Sequence, residues 1–217
     1  MKKYIELEGP EFSGKSTQAS RLFNYLLKQG KKAYLVKLPG TTPLSQTIRE
    51  IVKSKDYSIS SYEDFLLNVA STQSVLDYIN TLDVEYVIFD RFMSSMVVYQ
   101  GYLSKELFHQ DSLHLYESFQ FRNFDVLKNL QRFYLRISPA EILKRRSYSG
   151  RSFLKDKYDS FDLSGFEEMV KAYDKSFSSD SVSFNEIPLF LLSSCKRFII
   201  NAEQDEDNVF NQIKENL

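Results

Sequence analysis

The sequence predicts an α/β fold in which a parallel sheet of at least five strands is covered by helices on both faces. Three observations predict it. Strand-like segments alternate with helically periodic ones along all 217 residues. The segment 85–91 reads Glu85-Tyr86-Val87-Ile88-Phe89-Asp90-Arg91, a continuous apolar run of the kind buried on both faces, ending abruptly in two charges. A glycine-rich turn joins the first strand to the first helix, and β-α alternation of this kind builds one core covered on both sides.

Taken in order, Lys3 to Glu8 has the short, β-rich look of a strand. It feeds Gly9-Pro10-Glu11-Phe12-Ser13-Gly14-Lys15-Ser16-Thr17, which matches G-x-x-x-x-G-K-S. Two glycines let the backbone curl so that its N–H groups face an anion, Lys15 adds a mobile positive charge, and the Ser16 hydroxyl can ligate Mg²⁺. Thr17 to Leu27 is helical, so the turn sits at a helix N-terminus, the arrangement that holds a triphosphate. Gly30 provides a C-cap and 32–37 a second strand, ending in the loop 38–44. A helix follows over 45–54. Ligands of open α/β sheets sit beyond the carboxyl ends of strands, so Lys37, Thr41, Thr42 and Arg49 are candidates for an anionic second substrate.

Residues 61–82 form a long helix by spacing, and the strand 85–90 then carries Asp90 to the sheet edge beside the phosphate loop. There Asp90 can organise Mg²⁺ or accept a proton, and Arg91 can clamp a phosphate in a fork geometry. A helix start at 92–101 leads into a mostly helical stretch to 128, with a break expected around Gln110-Asp111. Arg132 to Ile137 is a strand, and Ser138 caps a helix that begins with Pro139. Within 144–157, six of fourteen residues are basic, which together with Gly150 as a hinge reads as a lid over phosphates, about 144–160. Beyond it come a helix over 166–177, a serine-rich loop at 176–183, a core segment at 187–192, a strand at 197–201 and a closing helix over 206–217.

The length suits a single domain, 1–217, with the lid within it. A formal charge of −1 gives no footprint for nucleic acid polymers. No apolar run reaches the roughly 20 residues of a membrane span, and the N-terminus lacks a signal-peptide pattern, so the expected location is cytoplasmic. The single cysteine, Cys195, reads as a small buried hydrophobe. His109 and His114 are not on one helical face and complete no metal site.

Asp90-Arg91-Phe92-Met93-Ser94-Ser95-Met96-Val97-Val98-Tyr99-Gln100-Gly101 is similar to the thymidylate kinase signature D-R-[YFH]-x-x-S-x-x-A-Y-Q-G. Lys37 to Leu44, with Ile48-Arg49 beyond, resembles that family's R-E-P-G-G-T-P-L…I-R. The resemblance implies a three-layer α/β/α P-loop NTPase fold with a five-stranded parallel sheet and a helical lid. It also implies ATP-dependent phosphoryl transfer to a (deoxy)nucleoside monophosphate, foremost dTMP to dTDP, with ATP, Mg²⁺ and usually a homodimer. By position it assigns Gly9, Glu11, Ser13, Gly14, Lys15, Ser16, Thr17 and Arg146 to ATP, with Ser16 and Asp90 at the metal. Lys37, Pro39, Arg49, Asn68, Thr72, Arg91, Ser95, Tyr99 and Gln100 fall on the acceptor side, together with Glu11, whose acidic position lies near the acceptor sugar. Lys15, Asp90 and Arg91 are the catalytic positions. Phe12 stands where an arginine would serve catalysis, so the resemblance moves that task to the lid, to Arg151 first and Arg146 next.

Departures concentrate at the base. Where the family has L-L-F-A-A-x-R, this chain has Leu66-Leu67-Asn68-Val69-Ala70-Ser71-Thr72, so Asn68 replaces a stacking aromatic and Thr72 a base-reading arginine. Lys37 replaces arginine, Leu38 glutamate and Met96 a frequent hydroxyl. Beside dTMP, the acceptor could therefore be another nucleotide or a nucleoside. A module that binds nucleotide without acceptor turnover is the reading from a different class.

Overall fold

A computed structural model describes residues 2–54, 56–149, 161–178 and 195–217. Five strands form one sheet: β1 (Lys3–Glu8), β2 (Ala33–Lys37), β3 (Tyr86–Asp90), β4 (Leu130–Arg136) and β5 (Lys196–Asn201). Their order is β2-β3-β1-β4-β5 and every pairing is parallel. Register places Asp90 opposite both Leu7 and Lys37, so the carboxyl ends of β1, β2 and β3 meet at one edge.

The helices of the sequence reading are present, with shifted ends. They are α1 (Lys15–Lys28), α2 (Pro43–Lys53), α3 (Ser61–Thr81), α4 (Met93–Met96), α5 (Gln110–Arg122), α6 (Phe124–Lys128), α7 (Pro139–Tyr148), α8 (Leu163–Phe177) and α9 (Glu206–Glu215). Local chemistry sets several starts. Thr42 Oγ1 accepts from Ser45 N at 3.1 Å and Pro43 takes the first turn, so α2 begins before the expected Ser45. A reciprocal capping box between Ser60 and Glu63 starts α3. Ser138 caps α7 through Glu141 N at 3.3 Å, as its sequence foretells.

Two stretches differ from expectation. After one α-turn, Val97–Leu103 widens into a π-helix, and a short 3₁₀ turn, Glu106–Phe108, follows Lys105 at φ 65°. The helical break thus falls at 104–109, and Gln110-Asp111 opens α5 instead of interrupting a helix. The lid expected at 144–160 is described only in its first part, where residues 144–148 end α7. Arg151, the core segment at 187–192 and the end of the serine-rich stretch lie outside the described residues, while Ser176 and Phe177 complete α8.

The core sits on both sides of the sheet, with Ile5, Leu7, Val87, Ile88, Phe89, Phe133 and Leu135 fully buried. Between these apolar positions β1 carries two buried carboxylates, Glu6 and Glu8. Glu6 Oε1 and Oε2 accept from Ser94 N at 2.8 Å and Ser94 Oγ at 2.7 Å, and Arg132 Nε on β4 pairs with Oε2 at 3.1 Å. Such a pair is tolerated in a core only when nearly every donor and acceptor is satisfied, and here the Arg132 guanidinium also lies 4.3 Å from the centre of the Phe177 ring. Cys195 is buried, as expected, and burial pushes its thiol up to about 11.

Candidate active site

The loop between β1 and α1 owes its shape to its glycines. Gly9 has φ 150°, and a Cβ there would come within 2.7 Å of Leu135 O and Ser13 Oγ. Gly14 sits at φ 88° as the N-cap of α1, with no side chain capping the helix and no acidic residue in its first turn. The first N–H groups of α1 are therefore left for a ligand, and they favour an anion. Ser16 and Thr17 are exposed at this opening, and Ser13 is buried beneath it.

Lys15 is buried and donates from Nζ to Pro10 O at 3.1 Å, with Glu11 Oε2 at 3.7 Å. Burial pushes its pKa down, and Arg91 adds to this, while the carboxylates of Glu11, Asp90 and Glu8 oppose it. Lys15 first and Arg91 second hold Glu11 well below the usual carboxylate range, so Glu11 is ionised at neutral pH. Asp90 ends β3 beside this pair. Its buried Oδ1 makes no hydrogen bond among the described residues.

Arg91 adopts φ 75°, unusual for a residue with a side chain, where the chain leaves the sheet. Its Nη2 pairs with Glu11 Oε1, and Nη1 donates to Ser95 Oγ at 3.2 Å and to the Tyr173 hydroxyl at 3.0 Å. The guanidinium stands 5.3 Å from the centre of the Tyr99 ring. Glu8 holds the backbone beyond Arg91, accepting at Oε1 from Phe92 N at 2.7 Å and Ser95 N at 3.0 Å. Burial, and next the Glu6 carboxylate, push Glu8 up to about 7 against the pull of Arg91 and these donors.

The other expected residues divide. Thr41 Oγ1 bonds the Lys37 backbone, and Thr42 caps α2 and bonds Ser74 Oγ at 2.8 Å, so both hydroxyls shape the β2–α2 connection instead of facing an anion. Arg49 Nη1 donates to Pro39 O at 2.9 Å, which ties α2 to the same loop, and Lys37 is exposed at the sheet edge. Across the crevice, Gln100 Nε2 donates to Asp64 Oδ2 at 3.0 Å and Asn68 Nδ2 to Asp64 O at 2.8 Å. Thr72 Oγ1 turns back to Asn68 O at 2.8 Å. On α7, Arg146 donates to Phe161 O at 2.6 Å, and its neighbour Arg145 reaches the phosphate loop, donating to Phe12 O at 3.2 Å and Ala202 O at 2.7 Å.

Sequence reasoning missed Arg145, Asp64, Glu8 and Tyr173. For Arg145 a signal existed, since the basic run fixed the element but not which of two adjacent arginines faces the loop. Tyr173 had none, because an aromatic at helical spacing reads as core.

A buried ammonium, a fork-shaped cation, a carboxylate oxygen with no partner among the described residues and a bare helix N-terminus thus converge at the ends of β1 and β3. This arrangement can hold a polyphosphate and neutralise charge as a phosphoryl group moves. A family model described as thymidylate kinase matches residues 7–213. A thymidylate kinase of Thermoanaerobacter sp. (strain X514) is 30% identical over 183 residues, 81% of this chain and 87% of that one. One from Orientia tsutsugamushi is 39% identical over 106 residues, 48% of each chain. Among solved structures, the thymidylate kinase of Candida albicans superposes with a TM-score of 0.65 at 21% identity, over 99% of this chain and 90% of that one. That likeness supports the three-layer fold, and the match across residues 7–213 places the chain in the thymidylate kinase family.

Proposed function

We propose that this chain transfers the γ-phosphoryl group of ATP to dTMP, giving ADP and dTDP. The observation that carries the reading is the meeting of Lys15, Asp90 and Arg91 at one sheet edge, in a chain the family matches over residues 7–213. The free N–H groups of α1 and Lys15 hold the ATP phosphates, where Lys15 exchanges Pro10 O and Glu11 for phosphate oxygens. Arg91 draws the acceptor phosphate toward them, and Glu11 holds Arg91 in place. Catalysis of this kind is positioning and charge neutralisation.

Mg²⁺ fits the residues present: the exposed Ser16 hydroxyl and the unpartnered Asp90 Oδ1 would hold it. Bound there, the ion would supply positive charge against the phosphates. With this function we propose a single domain, a cytoplasmic location and, from the family, a homodimer. Among the described residues no helix is long and apolar enough to cross a membrane.

A coupled assay with MgATP against dTMP, other monophosphates and nucleosides tests the reading. Turnover of dTMP is the expected result. ATP binding with no product from any acceptor would sink it.

The base side gives a second expectation. Asn68 offers no aromatic face, and its amide is tied to Asp64. Base–aromatic stacking contributes about 1–3 kcal/mol, so Asn68→Phe is expected to lower the KM for dTMP by about fivefold or more with the KM for ATP unmoved. An unchanged dTMP KM would remove Asn68 from the base site.

A further inference from the structure

We infer that Tyr173 is a positioning residue for the transfer, its hydroxyl holding the Arg91 guanidinium against the buried Glu8 carboxylate. The inference rests on the transfer reading above and adds to it a residue on α8, 82 positions from Arg91 in the chain. Tyr173 OH accepts from Arg91 Nη1 at 3.0 Å and donates to Glu8 Oε2 at 3.2 Å. Ser95 Oγ does the same, accepting from Arg91 Nη1 at 3.2 Å and donating to Glu8 Oε2 at 2.8 Å. Two hydroxyls from different elements thus link one guanidinium nitrogen to one carboxylate oxygen.

The tyrosine cannot easily carry its hydroxyl elsewhere. It is fully buried, its ring stacks on Tyr134 with centroids 5.5 Å apart, and Tyr99 meets its edge at 6.5 Å. Arg91 needs such aim. Its backbone leaves β3 at φ 75°, and its flexible stem would otherwise be directed by Glu11, Ser95 and the face of the Tyr99 ring. Glu8 is a suitable anchor because its other oxygen is fixed to Phe92 N and Ser95 N, on the same turn that presents Arg91. Helix α8 thereby sets the direction of a cation presented at the end of β3.

The test is Tyr173→Phe in the full chain, assayed with MgATP and dTMP, with rates referred to the folded fraction measured by circular dichroism. The variant keeps both ring contacts and loses one oxygen. A hydrogen bond to a charged group supports an expected loss in kcat of about 10- to 100-fold, with the KM for ATP within about twofold of the parent. Tyr134→Phe, which alters the stacked neighbour without touching Arg91, is expected to keep the parent kcat. A Tyr173→Phe kcat within about twofold of the parent overturns the inference, as does an equal loss in Tyr134→Phe. Failure of the transfer reading would be separate, because the parent itself would then give no product.

Discussion

Replacing Lys15 by alanine is expected to lower kcat by about 10²–10³-fold while the chain stays folded, since removing one preorganised donor to developing charge has an effect of that size. The fold tolerates the loss for a local reason. Lys15 is buried near Glu11, and without it Glu11 still pairs with Arg91, so that carboxylate is not stranded. What disappears is a cation whose present partners, a loop carbonyl and one carboxylate at 3.7 Å, are weak enough to yield to phosphate. Lys15→Arg should not restore the rate. Its forked head needs two acceptors in one plane, whereas Lys15 occupies a tight turn as a compact point charge. A steady-state rate near that of the parent for Lys15→Ala, at an unchanged melting temperature, would show that the phosphate site is assigned wrongly.

This site was legible in the sequence wherever chemistry and backbone geometry coincide. Gly9, Gly14 and Lys15 declare themselves because few other residues fit a positive φ or a bare helix N-terminus. Asp90 and Arg91 stand out as charges ending an apolar strand, and Ser138-Pro139 as a cap and first turn. The π-helix over Val97–Leu103 was not legible, because its wider i→i+5 turn lasts only seven residues, all but one of them buried, which leaves no polar face to mark the change of period. Glu6 and Arg132 were hidden for the opposite reason. Charges in predicted strands read as exposed, and only the parallel pairing of β1 with β4 brings the two together in the interior. Tyr173 and Arg145 depend on tertiary placement, as does the retreat of the Thr41 and Thr42 hydroxyls into their own loop.

Arg91→Ala is expected to cost about 10³-fold in kcat/KM for dTMP, more than Arg91→Ala would at a simple ion pair, because one guanidinium serves two partner sets. Nη2 faces Glu11, whereas Nη1 faces Ser95 and Tyr173. A lysine ammonium cannot span both, so Arg91→Lys should recover little. Between about pH 6 and 8 the loss should also vary with pH, because Arg91 pulls down the Glu8 carboxyl, which sits at about 7 and rises when the guanidinium is removed. Removing Arg91 lets the Glu11 pKa rise, but Lys15 is the larger cause of its depression and remains, so Glu11 stays ionised across this range. A profile that keeps the parent's shape near neutrality would contradict the upward move of Glu8. Backbone geometry supplies an internal control. At φ 75° an alanine is strained and a glycine is not, so Arg91→Gly should melt higher than Arg91→Ala, by a difference of about 1 kcal/mol in stability, while both variants lose the same activity. If the two differ in rate as well as in melting temperature, the backbone turn itself, and not the guanidinium, carries part of the effect now assigned to the side chain.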